Sequence, residues 1–412
     1  MTSIKNAIYA QSGGVTAVIN ASACAVIQTA RNYPDKIGKV FAAQHGIIGA
    51  LNEALIDTSL ESDEDIAKLL HTPSGAFGSC RFKLKDSGNE YHRLIDVFKA
   101  HQIGYFFYNG GGDSMDTAHK VSRMSADMGY PITCIGIPKT VDNDLPFTDN
   151  CPGFGSVAKY VAISTKEAGF DVASMAASST KIFILEVMGR HAGWIAAASA
   201  LANDEPNQPP HIILLPEAAF NQKAFLAKVD STVKNQGYCV VVVSEGIRDE
   251  KGQFLSETGL KDAFGHTQLG GVAPQLAQLI QHEFGYKFHW AVADYLQRAA
   301  RHIASQVDLD HAYALGKAAV ELAMNGHTAV MPTINREQDS PYRWSIGFAL
   351  LSEVANQERK VPTEFISKDG MGITEACRRY LAPLIQGEAY PPYLNGIPDY
   401  VRLKNNLVDC VL

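Results

Sequence analysis

Short apolar runs alternate with segments of helical periodicity along almost the whole chain. The runs are rich in Val, Ile, Phe and Tyr, which is typical of β-strands, whereas apolar residues that recur every three or four positions indicate helices. The predicted strands cover residues 7–10, 39–43, 105–108, 132–137, 181–187, 211–215, 238–244, 329–334 and 344–349. The predicted helices cover residues 18–31, 63–70, 116–128, 156–168, 192–201, 274–284 and 310–323.

The predicted strands are almost continuously hydrophobic, as are parallel strands that helices cover on both faces. The alternation of strands with helices therefore predicts a doubly wound α/β architecture. The chain has 412 residues, which is too many for one ordinary hydrophobic core, so we expect two domains. The hydrophobic pattern alone does not locate the boundary between them.

The composition is ordinary for a soluble globular enzyme, with 46% hydrophobic and 19% charged residues. A net charge of −7 and a pI near 6.0 argue against a surface that binds nucleic acid or an anionic membrane. No apolar run reaches about 18 residues, so we expect no membrane span. This global balance still permits local basic pockets that bind a phosphorylated small molecule.

The seven cysteines are odd in number and include no CxxC pair, which disfavours both a disulfide framework and a zinc site. The first residues do not show the basic segment followed by an apolar segment that marks a secretion signal. We therefore expect a cytoplasmic protein with reduced thiols.

The densest candidate chemistry lies in residues 138–144, Pro-Lys-Thr-Val-Asp-Asn-Asp. They follow a predicted strand, and open parallel sheets hold their ligands at the carboxyl ends of strands. Asp142 or Asp144 can accept the proton of an attacking hydroxyl group, and Lys139 can neutralise charge on a phosphoryl group. Lys139 or Thr140 faces the ligand in this pattern. These residue types favour phosphoryl transfer, and a solvated turn with a surface ion pair is the alternative.

Two glycine-rich loops follow other predicted strands, at residues 12–14 and 109–114. Glycines let a phosphate approach backbone N–H groups, and the N-terminus of the following helix favours an anion. Asp113 and Ser114 are favoured residues for capping that helix, and Asp116 adds a carboxylate within reach of a Mg²⁺–phosphate complex. An ordinary tight turn is the alternative interpretation of each loop.

Several arginines are further candidates for binding a phosphorylated ligand. Arg190 begins a predicted helix beside glycines, a position suited to a bidentate phosphate contact. Arg81 lies in a glycine- and serine-containing loop, and Arg298 lies near Tyr295 in another cluster of donors. Glu245 is a single acid at a strand end. Taken alone, each of these side chains is most simply a solvated surface residue or a local cap.

As a set, these segments resemble the phosphofructokinase family, specifically its pyrophosphate-dependent branch. The resemblance runs from Tyr9 to about Ile334, and its most specific parts are residues 138–144 and 188–190. It implies two Rossmann-like doubly wound domains, each with a mostly parallel sheet, and an active site in the cleft between them. The implied donor domain comprises residues 1–152 plus about 298–355. The implied sugar-phosphate domain comprises about 153–297 plus 356–412.

The resemblance implies reversible, Mg²⁺-dependent transfer of a phosphoryl group from pyrophosphate to the C1 hydroxyl of fructose 6-phosphate. Asp142 matches the general base of the family, and Thr140 and Asp144 flank it in the substrate and metal site. Further positions match residues that bind the substrates: Gly13 and Gly14 at the phosphoryl donor; Arg81 at the transferred group; Met188, Gly189, Arg190 and Glu245 at the sugar; Tyr295 and Arg298 at its 6-phosphate.

Two positions indicate the phosphoryl donor. Asp113 and Lys139 stand where ATP-dependent members have glycines. The carboxylate of Asp113 is expected to repel the α-phosphate of a nucleotide, and Lys139 is expected to bind the far end of pyrophosphate. This pairing of one repulsive and one attractive group favours pyrophosphate. The alternatives are an ATP-dependent enzyme and a non-catalytic homologue that binds sugar phosphate in a regulatory role.

The metal site departs from the family at Gly112, where the usual residue is a metal-binding aspartate. The resemblance therefore implies that pyrophosphate and water hold Mg²⁺, with help from Asp113, Asp142 or Asp144, as suits an ion that keeps its waters. Lys181 matches an arginine that reaches into a neighbouring subunit in ATP-using relatives. A homodimer or homotetramer is therefore expected. Sedoheptulose 7-phosphate is a further possible acceptor, because it shares the phosphate and the C1 hydroxyl.

Overall fold

The computed structural model describes residues 4–85, 89–261 and 267–412. The strands are β1 (Lys5–Gln11), β2 (Ile37–Ala43), β3 (Leu55–Asp57), β4 (Ile103–Gly110), β5 (Thr133–Pro138), β6 (Ile182–Val187), β7 (Ile212–Leu214), β8 (Cys239–Ser244), β9 (Glu257–Lys261), β10 (Thr267–Leu269), β11 (Phe288–Val292), β12 (Val330–Asp339), β13 (Tyr342–Leu350), β14 (Tyr393–Leu394) and β15 (Ile397–Pro398).

The α-helices lie between these strands and after them. They are α1 (Ile19–Arg31), α2 (Ile47–Leu51), α3 (Asp63–Lys68), α4 (Glu90–Ala100), α5 (Gly112–Asp127), α6 (Phe154–Met175), α7 (Trp194–Ala198), α8 (Gln222–Gln236), α9 (Val272–Phe284), α10 (Asp294–Ala299), α11 (Gln306–Met324), α12 (Leu351–Val354) and α13 (Glu375–Leu381). None of the helices within the described ranges combines the length and apolar character that crossing a membrane requires.

The first sheet has seven strands in the order β13-β12-β5-β4-β1-β2-β3. Its central strands are parallel, and antiparallel pairing occurs only between β2 and β3 and between β12 and β13 among the described pairs. Tyr9 of β1 belongs to a core cluster with α1 and α11, whereas Ile8 belongs to a cluster with α4 and α5. Helices thus cover both faces of this sheet.

The second sheet has four strands in the order β11-β6-β8-β7, all parallel. Helices α6 and α7 pack on one face and helices α8 and α9 pack on the other. The prediction of a doubly wound α/β protein with two mostly parallel sheets is therefore confirmed. The exact division of the chain into two domains stays a prediction.

Every strand and helix that the periodicity predicted is present, although its ends differ by several residues in places. The largest extension is in α6, which continues to Met175 instead of ending at residue 168. Apart from α4 and α8, the unpredicted elements are short or lie at an edge. For example, β3 has three residues, and β11 is an edge strand on which Trp290 and Val292 are exposed, so neither forms a continuous apolar run. In α8, however, Phe225, Val229 and Val233 are buried at helical spacing, and this signal was available in the sequence.

A buried carboxylate joins α11 to the N-terminus of α6. Asp308 is 2% exposed and accepts hydrogen bonds from the N–H of Gly153, at 2.9 Å, and from the N–H of Ser156, at 2.9 Å. The Ser156 hydroxyl also donates to it at 2.6 Å. N–H groups at the start of a helix have no acceptor within that helix. The carboxylate of Asp308, on α11, supplies the missing acceptor and a negative charge that is favourable at this end of α6. This contact helps to fix α6, which packs on the second sheet, against α11.

We predict that Asp308→Ala lowers the free energy of unfolding by about 2–3 kcal/mol, because buried donors would lose a charged acceptor. Urea unfolding followed by circular dichroism measures the change. Asp310→Ala, at an exposed position on the same helix, is the control and should change stability by less than about 0.5 kcal/mol. Equal stability of the two variants would contradict the assigned role of Asp308.

Candidate active site

The carboxyl ends of β1, β4 and β5 bring three loops together at one edge of the first sheet. The N–H of Ser12, after β1, donates to the carbonyl of Asn109 in β4 at 2.9 Å. The N–H of Lys139, after β5, donates to the carbonyl of Gly110 at 3.1 Å. Parallel pairing therefore places the two glycine-rich loops directly beside the segment that carries Lys139 and Asp142.

A fourth loop, which carries Arg81, lies against the first glycine loop. The N–H of Gly13 donates to the carbonyl of Cys80 at 2.9 Å, and the Ser79 hydroxyl donates to the carbonyl of Gly13 at 2.8 Å. Gly13 has a φ of +72°, which favours glycine at this position. Because its N–H is already bonded to Cys80, this N–H is not available to a ligand in this arrangement.

Three cationic side chains converge on this glycine loop. The Lys139 ammonium is buried and donates to the carbonyl of Gly14 at 2.7 Å. A Cβ atom added at Gly14 would lie 2.7 Å from an Arg298 nitrogen and 3.7 Å from an Arg81 nitrogen. Burial lowers the pKa of Lys139 to about 8; Asp142 opposes this change, whereas Arg298 and Arg81 reinforce it. The arrangement is suited to an anion with several negative charges.

Asp113 lies in the first turn of α5, at the edge of the same region. Its carboxylate forms an ion pair with Lys83 at 2.8 Å, and both side chains are about half exposed. At the neighbouring Gly112, an added Cβ would meet nothing within 4 Å. The first atom of a side chain at position 112 would therefore enter open space.

Asp142 and Asp144 lie in the turn after β5. The N–H of Asp142 donates to the Thr140 hydroxyl oxygen at 3.1 Å, which anchors the start of the turn. Burial raises the pKa of Asp142, although Lys139, Arg81 and Arg190 lower it. Burial also raises the pKa of Asp144 to about 7, with further increases from the charges of Asp142 and Glu358. A carboxyl group with the raised pKa of Asp144 can exchange a proton near neutral pH.

The second sheet contributes the opposite side of the site at the carboxyl end of β6. Gly189 has a φ of +139°, and its carbonyl accepts a hydrogen bond from Ser244 at 2.5 Å. Its N–H donates to Glu245 at 3.3 Å, and the N–H of Met188 donates to Gln297 at 3.4 Å. Burial raises the pKa of Glu245 to about 7, whereas the Gly189 N–H lowers it.

Two further arginines, Arg190 after β6 and Arg298 in α10, contribute charge to the cleft between the sheets. The charge of Arg190 lowers the pKa of both Asp142 and Glu245. It therefore acts on acids that follow strands of both sheets. Arg298 stacks on the ring of Tyr295 at 3.8 Å, and Tyr295 is 60% exposed. Together these groups form a polar cleft with cations on both sides and acids at its centre.

Lys181 is not brought into this cleft. It directly precedes β6, so it lies at the opposite end of the strand from Gly189. Its ammonium donates to the carbonyl of Ala176. All the other candidate residues lie on loops or helices at the carboxyl edges of the two sheets.

Sequence reasoning missed Glu358, which follows α12 and contacts the site from a distant part of the chain. Its carboxylate is 3.0 Å from Nδ1 of His191, and its charge raises the pKa of both Asp142 and Asp144. Lys83, the partner of Asp113, was also missed. Neither residue lies at a strand end or in a glycine-rich loop, so no local pattern distinguished it from a surface charge.

Comparison with known proteins adds to this geometry. The family model described as Phosphofructokinase matches residues 6–323. A Methylococcus capsulatus protein named pyrophosphate–fructose 6-phosphate 1-phosphotransferase is 66% identical over 404 residues, covering 97% of this chain and 96% of that protein. A Halomonas elongata protein of the same name is 63% identical over 407 residues, covering 98% of this chain and 97% of that protein.

A solved structure is similarly close. The crystal structure of pyrophosphate-dependent phosphofructokinase from Marinobacter aquaeolei superimposes with a TM-score of 0.92 at 63% sequence identity. The match covers 99% of this chain and 98% of that one. The likeness therefore extends over both sheets and the cleft between them.

We predict that Gly14→Ala weakens the binding of inorganic pyrophosphate by about tenfold, because the added methyl group must displace the Arg298 guanidinium. Isothermal titration calorimetry measures the affinity. Gly112→Ala is the control, because its methyl group enters open space and should leave the affinity within about twofold. Equal affinity of the two variants would show that Arg298 does not contribute to the anion site.

Proposed function

Because the chain belongs to the phosphofructokinase family, we propose that it transfers a phosphoryl group reversibly between pyrophosphate and the C1 hydroxyl of fructose 6-phosphate. The products in the forward direction are fructose 1,6-bisphosphate and phosphate. The observation that carries the proposal is the convergence of Lys139, Arg81 and Arg298 on the Gly13–Gly14 loop, beside the carboxylate of Asp142.

Asp142 is the general base in this proposal. Its carboxylate takes the proton from the C1 hydroxyl as that oxygen attacks the phosphorus, and the bond from phosphorus to the departing phosphate breaks. The ammonium of Lys139 and the guanidinium of Arg81 neutralise the charge that spreads over the transferred group. The hydroxyl of Thr140 accepts the N–H of Asp142 and so orients the turn that carries the base.

The sugar phosphate binds on the second-domain side. The backbone of Met188–Gly189, the carboxylate of Glu245 and the guanidinium of Arg190 border the space for the sugar. Tyr295, which is 60% exposed, borders the space for its 6-phosphate, and Arg298, which stacks on the Tyr295 ring, lies between this space and the Gly14 loop. Positioning by these groups supplies a large part of the acceleration expected for a phosphoryl transfer.

Selection of pyrophosphate rests on Asp113 and Lys139. Lys139 occupies the floor of the donor site, where its ammonium bonds to Gly14. Asp113 and its partner Lys83 occupy the entrance at the start of α5. Pyrophosphate ends where Lys139 binds it, whereas the longer nucleotide would have to pass Asp113. An ATP-dependent reaction and a purely regulatory role are therefore the less favoured alternatives.

We also propose that Mg²⁺ assists the reaction. Within the described residues, no three His, Cys, Asp or Glu side chains are grouped to hold a metal ion by themselves. A Mg²⁺ ion bound mainly by pyrophosphate and water needs only one or two carboxylates, and Asp144 and Asp113 are the candidates. When bound, the ion supplies charge neutralisation at the phosphoryl oxygens. The mutual repulsion of Asp144, Asp142 and Glu358 fits a site that gains from a nearby cation.

We propose further that the enzyme is a cytoplasmic homodimer or homotetramer. Lys181 lies outside its own cleft, as a residue that serves a neighbouring subunit would. Trp290 and Val292 are exposed on the edge strand β11, which begins beside Lys181. None of the seven cysteines is in a disulfide, which is typical of proteins in a reducing compartment.

We predict that wild-type protein uses pyrophosphate and turns over ATP far more slowly. The double variant Lys139→Gly with Asp113→Gly should lose about 10²–10³-fold in kcat with pyrophosphate, because it loses the cation at the donor site. Its ratio of ATP to pyrophosphate turnover should rise. A coupled assay of fructose 1,6-bisphosphate formation with each donor measures both rates.

Lys159→Ala is the matched control for the donor comparison. It removes another buried ammonium, which donates to the carbonyl of Gly387 at 2.6 Å in the second domain. It should leave the donor ratio unchanged. Wild-type turnover with ATP above that with pyrophosphate would contradict the proposed function.

We predict a bell-shaped dependence of kcat/KM on pH. Activity requires protonated Lys139, whose pKa is about 8, so the rate falls as the pH rises above that value. Activity also requires ionised Asp142, whose pKa burial raises above the usual range of a carboxyl group, so the rate falls towards acidic pH. Stopped assays across pH 5–10 measure the profile.

Lys139→Arg identifies the basic limb of that profile. Arginine stays charged throughout the range, so the basic limb should move upward by more than about one pH unit while the acidic limb stays in place. The ionisation of pyrophosphate affects wild type and variant equally. An unchanged basic limb would exclude Lys139 as the group that titrates there.

A further inference from the structure

The guanidinium of Arg359 holds the segment that directly follows the base. Its Nη2 donates to the carbonyl of Asn143 at 2.9 Å, and its Nη1 donates to the carbonyls of Thr148 and Asp149, each at 2.7 Å. The N–H of Arg359 also donates to the carbonyl of Asp144 at 2.6 Å. One residue thus binds both ends of the loop 143–149, beside Asp142.

The loop needs such a partner because Asn143 has an unfavourable backbone conformation. Its φ is +55°, and its side chain is fully buried. Its amide group donates to the Tyr380 hydroxyl at 3.0 Å and accepts the N–H of Cys151 at 2.9 Å. Its carbonyl accepts hydrogen bonds from Arg359. These contacts together determine the direction in which the chain leaves Asp142.

The same segment also contacts the loop that borders the sugar site. The indole N–H of Trp194 donates to the carbonyl of Arg359 at 3.1 Å, and the guanidinium lies 5.1 Å from the centre of the Trp194 ring. The carboxylate of Glu217 accepts the N–H groups of Val361, at 2.9 Å, and Gly193, at 3.0 Å. Residues 359–361 therefore bind the turn of the base on one side and the end of the loop 188–193 on the other.

We propose that Arg359 is a positioning residue that holds Asp142 at the correct distance from the sugar-binding loop across the cleft. The inference rests on the proposed function, in which Asp142 deprotonates the sugar hydroxyl. Arg359 itself contacts neither substrate; it acts through the backbone of residues 143–149 and through Trp194. The planar fork of the guanidinium suits this role, because it reaches several carbonyl oxygens at once, which a lysine ammonium does not.

Arg359→Lys tests the proposal, because it keeps the charge but removes the fork. We expect kcat to fall by about 10²-fold, since small misplacements of a reacting group have effects of that size. The KM for fructose 6-phosphate should change by less than about threefold, because the groups that bind the sugar are retained. The less conservative Arg359→Ala should lose a similar amount, and added guanidinium ion should restore part of its kcat.

Arg336→Lys is the matched control. Arg336 lies in the same cluster and donates to the carboxylate of Asp149 at 2.9 and 3.0 Å and to the carbonyl of Tyr380 at 2.9 Å. It contacts the far end of the loop and not the carbonyls of Asn143 and Asp144. Arg336→Lys should lose about as much thermal stability as Arg359→Lys. It should nevertheless keep kcat within about threefold of wild type.

Hydrogen exchange followed by mass spectrometry provides a readout independent of turnover. Peptides that span residues 142–151 should exchange at least about tenfold faster in Arg359→Lys than in wild type, while peptides from β8 stay unchanged. This measurement does not depend on the phosphoryl donor, so it stands even if the proposed function fails. Unchanged exchange in this loop, or equal loss of kcat in the Arg359 and Arg336 variants, would overturn the proposal.

Discussion

The buried ammonium of Lys139 is the group around which the site is organised. It donates to the carbonyl of Gly14, and the nearby charges of Arg81 and Arg298 oppose its protonation. Asp142 is the main attractive charge. Such a concentration of like charges is unfavourable on its own, so the surrounding fold must hold it in place. An anion bound among the three cations relieves their repulsion, and this relief contributes to the affinity for a phosphate-rich ligand.

This concentration of charge depends on the meeting of two sheet edges. Parallel strands end together, so the first sheet presents the loops of Gly14, Lys139 and Asp142 side by side. The second sheet presents Arg190 and Glu245 in the same way. Contacts between elements distant in the chain, such as that of Asp308 with the start of α6, hold the two edges opposite each other. The chemistry is therefore a property of the cleft and not of either sheet alone.

The C-terminal part of the chain supports both domains. The charge of Glu358 acts on Asp142 and Asp144, and the N–H of Arg359 donates to the carbonyl of Asp144. Val361 is linked to the loop before α7 through Glu217. Further along, Leu407 bridges to Ile56 of β3 at the edge of the first sheet. A segment without recognisable chemistry of its own thus contributes to the geometry of the site. Much of its role consists of hydrogen bonds to backbone groups, which any sequence would provide.

The sequence by itself determined the fold class and located the loops that meet at the candidate site. A strand that is buried on both faces has an unbroken apolar run, which can be recognised in the sequence. Such strands are followed by the candidate loops, residues 12–14, 109–114 and 138–144. These signals are local, so they can be read from the sequence without a structure. Elements such as β3 and β11 escaped this reasoning, because β3 has only three residues and most positions of β11 are not buried.

Only the tertiary structure decided which distant residues meet the site and which do not. It brought Glu358 to His191 and Lys83 to Asp113, and it placed Lys181 at the far end of β6. It also showed that the N–H of Gly13 is bonded to Cys80. A single charged side chain produces no periodic pattern in the sequence. The packing of elements that lie far apart in the chain determines which residue it contacts. For that reason the charges, the pKa shifts and the contacts of Arg359 could not be derived from the sequence alone.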